Sequence, residues 1–353
     1  MVLELRSSYS EDDVVLLLKD ITGLVKPQST EEREKLIQSG KHYCEMLPIE
    51  YVPSQRYLEV YQAALRDYAK PVAVALGVLA EKIVQARGKN VVLVSLARAG
   101  TPIGILLKRY LKWKWQIEVP HYSISIIRGK GIDHNAMKWL LGQYDAGDLL
   151  FVDGWIGKGA IQNTLQKALV DYPGVNPELA VVADPANVTK LCGTHEDLLI
   201  PSSCLNSTIS GLVSRTFLRD DVIGASDFHG AVYYEELKDS DLSYEFINAI
   251  ESEFQENSTI QEAVPLGHGI DEVRKLAKKF GIKDANLIKP GIGETTRVLL
   301  RRVPWKVLVS EKSAADSCLD SIKQLAEEKG VPIEYYPLQH YKACGIIKTL
   351  SDV

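Results

Sequence analysis

Apolar positions along the chain recur with two different periods, and the switch between them marks its organisation. Over the first ninety residues the spacing predicts helices. Ser10 precedes EDDVVLLLKDI, Thr30 precedes EEREKLIQSG, and Ser54 precedes a stretch that keeps Tyr57, Leu58, Tyr61, Ala64 and Leu65 on one stripe; each has a capping-type residue at its start. Pro71 is placed to begin a further helix ending near Gly88. At Val91 the period changes. Val91, Val92, Leu93 and Val94 form a short, continuously apolar, β-branched run, the pattern of a strand buried on both faces of a parallel sheet. Helical spacing returns with Ile103, Leu106, Leu107, Tyr110 and Leu111. HYSISII (121–127) then reads as a strand, RGKGIDHN as a polar loop, LLFVD (149–153) as a second buried strand, IQNTLQKAL as a helix and LAVVAD (179–184) as another strand. This alternation predicts an α/β fold built on a doubly wound parallel sheet, with its ligand outside the carboxyl ends of the strands.

After about residue 240 the character changes. SDLSYEFINAIESEFQENSTIQEAV is acidic and polar, and Gly267 and Gly269 lead into a basic helix, DEVRKLAKKFGI. A glycine loop, a helix, the strand KVLVS, a further helix and the strand IEYYPL follow, a small α/β/α unit. The expected division is a helical extension at 1–54, a main domain at 55–240, a helical connector at 241–284 and a C-terminal domain at 285–353.

Composition narrows the function. The 353 residues are 46% hydrophobic and 25% charged, ordinary for a globular protein long enough for two domains. A net charge of −5 excludes coating of nucleic acid by bulk electrostatics, so any RNA contact is a local one. The N-terminus carries acids where a secretory signal would be basic, and no apolar run is long enough to span a bilayer, so a cytoplasmic location without membrane contact is expected. Five scattered cysteines without CxxC spacing point to reduced thiols and to no zinc site.

Candidate chemistry gathers at two strand ends. In VDGWIGKGA, Gly157 and Gly159 let backbone amides converge beside Lys158 on an anion, and a helix starting at Ala160 aims its positive end there. Asp153 would face that ligand, accepting from ribose hydroxyls or supporting Mg²⁺. In LARAGTPIG, Gly100 permits a tight turn after Ala97 and Ala99, and Arg98 adds a fork suited to phosphate oxygens. A glycine turn after a buried strand also serves simply to let the next helix pack closely. GxGxxG and GxxxxGK[ST] are both absent, which leaves a phosphosugar as the fitting ligand.

LLFVDGWIGKGAIQ resembles the signature of the type I phosphoribosyltransferases, with Asp153 on the first of its two acids and Gly154 replacing the second. Ala97, Arg98, Ala99 and Gly100 resemble that family's pyrophosphate loop, and Arg128, Lys130 and His134 lie in a stretch similar to its mobile loop. The resemblance implies transfer of phosphoribose from phosphoribosyl pyrophosphate to a nitrogen acceptor. Arg98, Arg128, Lys130 and Asp153 would then be catalytic, Gly157 to Ala160 would bind the sugar phosphate, and Mg²⁺ would sit on Asp153. A domain lacking the second acid would alternatively only bind and sense the sugar.

Residues 201–230 are dense in hydroxyl groups and carry Cys204, Asn206, Ser207, Thr208, Arg215 and His229. They fit either an acceptor site, or a nucleophile Cys204 paired with His229 or His195, or plain turns around a buried small thiol. Further on, Gly291, Gly293, Glu294, Thr295, Thr296, Arg297 and Arg301 resemble the RNA-contacting glycine loop and helix of the L7Ae-like and Pelota domains. An RNA or a ribonucleotide-like acceptor is the partner this implies, and a homodimer stays open. The two resemblances in this order are similar to a bacterial family found with tellurium and stress resistance genes. That family is described as a phosphoribosyltransferase domain fused to a Pelota-type domain and is also labelled cysteine protease StiP.

Overall fold

The computed structural model describes residues 5–260 and 267–348. The N-terminal run VVLLL is not helical. It makes β1 (Val15–Leu16) and β2 (Lys19–Asp20), with β1 on the edge of the main sheet. Five consecutive apolar residues carry no helical stripe, and the Leu17 N–H finds the Ser123 carbonyl at 2.9 Å, so sheet pairing decides against the helix expected there. α1 (Thr30–Gln38) follows, capped by Ser29 in a reciprocal box with Glu32.

α2 runs unbroken from Gln55 to Arg87, with Ser54 as its cap and Gly88 at its end. Pro71 lies inside it rather than opening a second helix. An interior proline costs about 3 kcal/mol, but Val60, Tyr61, Ala64 and Leu65 before it and Val72, Ala73, Leu76 and Leu79 after it form one buried stripe, which holds both halves in line.

The strand–helix alternation then unfolds largely as its pattern implies. β3 (Val92–Ala97), α3 (Gly100–Trp115) and β4 (His121–Ile127) come first. The loop expected after β4 is instead a hairpin strand, β5 (Gly131–Ile132), leading to α4 (His134–Leu141). β6 (Leu149–Trp155), α5 (Ala160–Ala168), β7 (Leu179–Ala183) and β8 (Cys192–Thr194) complete the unit. The sheet order is β1-β4-β3-β6-β7-β8, parallel throughout, with β5 antiparallel on β4. A short strand, β9 (Gly230–Ala231), pairs with β2, and α6 (Ser243–Glu251) packs on α2 and α3.

The C-terminal sheet is built from β10 (Ile288–Pro290), β11 (Pro304–Ser310), β12 (Ile333–Tyr336) and β13 (Ala343–Ile347) in the order β10-β13-β11-β12. α7 (Gly269–Lys279) covers one face, while α8 (Ile292–Arg301) and α9 (Asp320–Glu328) cover the other. Ile292, Leu299, Val307 and Ile322 belong to the same buried cluster as α2, α3 and the inner face of the main sheet. The two units therefore share a core.

Candidate functional site

β3 and β6 are neighbours in register, Ser95 beside Val152, so their carboxyl ends lie side by side. Gly100 is needed for that closeness: a Cβ there would stand 2.4 Å from the Val152 carbonyl oxygen. Ala97, Ala99 and Gly100 thus lie beside Gly154 and Asp153, as the sequence suggests. The loop that follows Gly154 meets the C-terminal domain. Lys158 donates to the carbonyls of Ala285 (2.7 Å) and Ile288 (2.9 Å), and the Gly157 carbonyl accepts from the Tyr341 hydroxyl at 2.7 Å. Gly159, at φ 84°, and Ala160 start α5 behind them. The loop expected to cradle a sugar phosphate is a docking element. Burial raises Asp153 to about 7 against one donor, the Gly154 N–H.

The other expected contacts are likewise internal. Arg98 donates to the Val213 carbonyl (2.9 Å) and to Asn206 (3.3 Å) and faces Glu50 at 3.7 Å. Arg128 reaches Asn286 at 2.9 Å, and Lys130 lies in the β4–β5 turn. Burial, with Arg33 and Arg98 near, lowers Arg215 to about 10. Ser207 meets Glu50 at 3.5 Å, and the buried Thr208 hydroxyl has no hydrogen-bond partner. In the C-terminal domain Gly291 and Gly293 face the main domain, Thr295 and Thr296 are buried, Thr296 bonds back to the Ile292 carbonyl, and Glu294 pairs with Arg297 at 2.7 Å. Arg301 ends α8, and its side chain lies outside the described residues.

The five cysteines form no disulfide. Cys204 closes a 3₁₀ turn, Pro201–Cys204, and is fully buried. The two histidines considered for it are engaged elsewhere: His229 Nδ1 lies 2.8 Å from Ser125 Oγ, and His195 stands against a different thiol. That thiol is Cys192. Its Sγ lies 3.4 Å from His195 Nε2 and 3.8 Å from Nδ1, while Nδ1 is 3.0 Å from the Asp184 carbonyl oxygen. A proton on Nδ1 satisfies that carbonyl and leaves Nε2 as the acceptor facing the thiol, the tautomer a general base requires.

Local structure builds this pair. A regular strand would send residues 192 and 195 to opposite faces, but the chain bends after Thr194, whose hydroxyl accepts from the Glu196 N–H at 3.0 Å. The Asp184 carboxylate accepts from Val188 (2.6 Å) and Thr189 (2.8 Å) and so fixes the turn that presents its own carbonyl. Cys192 is fully covered and His195 half-buried. A second contact, His42 Nδ1 to Cys44 Sγ at 3.0 Å, is of another kind: the same nitrogen also accepts from the Cys44 N–H, and burial raises that thiol to about 11. The motif C-x-x-H at a strand end was the available signal for Cys192, and it is too short to stand out in a sequence.

The fold and site define a parallel α/β domain carrying a thiol–imidazole pair, joined to a small α/β domain through a buried interface. Residues 7–251 match the family described as tellurite-like stress resistance cysteine protease StiP, and residues 267–349 match the PELOTA RNA-binding domain. The chain is 34% identical to "Cysteine protease StiP" of Acinetobacter baylyi, over 98% of its own length and 94% of that protein's. It belongs to the StiP family. A solved hypothetical protein from Neisseria gonorrhoeae with bound ppGpp overlaps 32% of this chain and 65% of its own, at 17% identity and a TM-score of 0.22.

Family membership overturns the expectation of a phosphoribosyltransferase using phosphoribosyl pyrophosphate and magnesium. The geometry agrees, since the Lys158 ammonium and the Gly157 carbonyl of the anticipated phosphate loop are bonded to the C-terminal domain. No group of three His, Cys, Asp or Glu side chains able to hold a metal occurs among the described residues, and no helix among them is long and apolar enough to cross a membrane.

Proposed function

We propose that this chain is a thiol peptidase in which Cys192 is the nucleophile and His195 its base, on a scaffold that also carries an RNA-binding domain. The family supports the reaction class. The observation that carries the residue assignment is the 3.4 Å approach of His195 Nε2 to Cys192 Sγ, with Nδ1 held at the Asp184 carbonyl. In the reaction the thiol proton passes to Nε2 and the thiolate adds to the peptide carbonyl carbon. The C–N bond then breaks as the amine takes that proton, and water hydrolyses the acyl-thioester. Because the thiol is enclosed, the closed form is a latent one that must loosen around β8 to admit a peptide. The sheet order and the two adjacent strand-end loops support a type I phosphoribosyltransferase-like scaffold put to this other chemistry.

The test is cleavage of a denatured protein substrate by the full chain and by Cys192→Ala, His195→Ala and Cys204→Ala, each checked for an unchanged melting curve. Loss in the first two with activity kept in the third is expected. Cleavage that persists in Cys192→Ala sinks the assignment.

A further inference from the structure

The glycine loop and helix that resemble an RNA-contacting element are not open in this fold. Gly291, Thr295 and Thr296 are buried, and the Ile292 N–H is bonded to Asp197 of the main domain at 2.9 Å. For the small domain to take RNA while docked, another of its faces must do so, and the basic helix α7 leads to one. At the end of α7 three rings meet in series: Phe280 lies 6.3 Å from Tyr336 and 6.2 Å from Trp305, centroid to centroid. Lys279 Nζ sits over Tyr336 (4.6 Å) and Phe280 (5.9 Å), and Lys306 Nζ over Phe280 (4.8 Å) and Trp305 (4.4 Å). Ring and cation therefore alternate.

A lysine lying along a ring is ordinary surface packing that shelters its stem. Two observations go further. The platform is open: Trp305 is 38% exposed, and Lys279 and its neighbours Lys275, Lys278 and Lys283 are exposed. Its cations are also in excess, because the nearby acids are occupied. Asp271 pairs with Arg274 at 2.9 Å, buried Glu272 accepts from the Gln339 and His340 N–H groups, Asp284 accepts from the Asn286 N–H, and Glu334 takes Lys306. No carboxylate among the described residues pairs with Lys275, Lys278, Lys279 or Lys283. On a chain of net charge −5 this is a local positive face floored with aromatic rings.

We infer that this face takes a single-stranded RNA segment, whose bases stack on the series Trp305, Phe280 and Tyr336 while its phosphates pair with Lys279 and Lys275 on α7. A single strand repeats a flat base and a negative phosphate, the complement of alternating ring and cation. A duplex keeps its base faces inside and offers phosphates alone. The inference rests on the reading that the C-terminal domain binds RNA. It adds where the strand lies and which form of RNA is taken, and it leaves the two domains docked as they are.

The experiment is fluorescence polarisation of fluorescein-labelled oligouridylate with the full chain and with Trp305→Ala, Lys279→Gln and Lys275→Gln across a salt series, each variant first shown to keep the parent's melting curve. Trp305→Ala should weaken binding roughly tenfold with its salt dependence unchanged, the loss of one stacked base. Each lysine variant, at an exposed position, should flatten the log–log salt slope by about 0.7, one phosphate contact on a single strand. A blunt RNA duplex of equal length should bind the parent more weakly than oligouridylate does, and equal or tighter duplex binding overturns the single-strand form. Parent-like affinity in Trp305→Ala together with parent-like slopes in both lysine variants overturns the placement while RNA binding stands. Competition by polyglutamate equal to that by unlabelled oligouridylate also overturns it, marking the face as one for an acidic protein. No binding by the parent overturns the placement and the RNA reading together.

Discussion

Gly193 separates Cys192 from the bend that brings His195 back, and it is the point where β8 is pressed hardest against its neighbours. A Cβ added there would lie 2.1 Å from the Ala75 carbonyl oxygen, 2.7 Å from the Ala75 carbonyl carbon and 2.8 Å from the Val182 carbonyl oxygen. All three are backbone atoms, of α2 on one side and β7 on the other, so no side chain can rotate away. Gly193→Ala must push the strand off the helix. Overpacking of this kind costs about 1–3 kcal/mol, and rigid obstacles place this case near the top of that range. The gain from a stiffer unfolded chain, about 0.4–1 kcal/mol, returns only part, for a net loss of roughly 2 kcal/mol. Urea unfolding followed by tryptophan fluorescence reads this as a midpoint lowered by roughly 1 M, for a slope near 2 kcal/mol/M. Gly147→Ala is the built-in control, since nothing lies within 4 Å of its Cβ position, and it should stay within about 0.5 kcal/mol of the parent. An unchanged midpoint in Gly193→Ala would refute the tight seating of β8 on α2, and with it the fixed spacing of the thiol and imidazole.

Two further outcomes follow from charge. Burial pushes the Asp13 carboxyl up, but the two-point bond from Arg109 (2.9 and 2.8 Å) and the Tyr244 hydroxyl (2.8 Å) outweigh it and hold it below the ordinary value. Arg109→Met should therefore cost about 3 kcal/mol at neutral pH by stranding the acid. Stability from a depressed carboxyl is present above its unfolded value and lost as pH falls, so this cost should shrink below about pH 4; the same cost at both pH values would assign it to packing. Asp153 runs the other way: burial raises its carboxyl to about 7, so its contribution is complete below about pH 4 and is lost as pH climbs through 7. Melting temperature should decline across that window in the parent and less steeply in Asp153→Asn, and parallel curves would show that another group titrates.

Much of the fold can be read directly from the period of apolar residues. HYSISII becomes β4 over His121–Ile127, Ser54 caps α2, and Gly88 ends it. Local pattern failed where distant partners decided the outcome. The run at 14–18 holds the short strand Val15–Leu16 rather than a helix because β4 offers it an edge, and Pro71 is carried through because a continuous buried stripe outweighs one missing hydrogen bond. The site divides along the same line. Two glycine loops at neighbouring strand ends were legible as such, but the partner of the second one, a further domain of the same chain, is a tertiary fact that no spacing encodes. Cys204 drew notice through its polar surroundings. Cys192 sits in an apolar strand, and only the bend after Thr194 reveals its histidine.

With 33 residues, α2 extends roughly 50 Å, at about 1.5 Å per residue. Its first turn is fastened to the C-terminal domain by Tyr57 on the Leu300 carbonyl and Arg56 on Glu328, and its far half holds β8 through Lys82 on the Cys192 carbonyl at 2.7 Å. One rigid rod thus has a grip on each working part. A tilt imposed where the rod meets the small domain arrives at the sulfur-bearing strand without passing through any loop, so the molecule has a mechanical linkage between its two ends already in place.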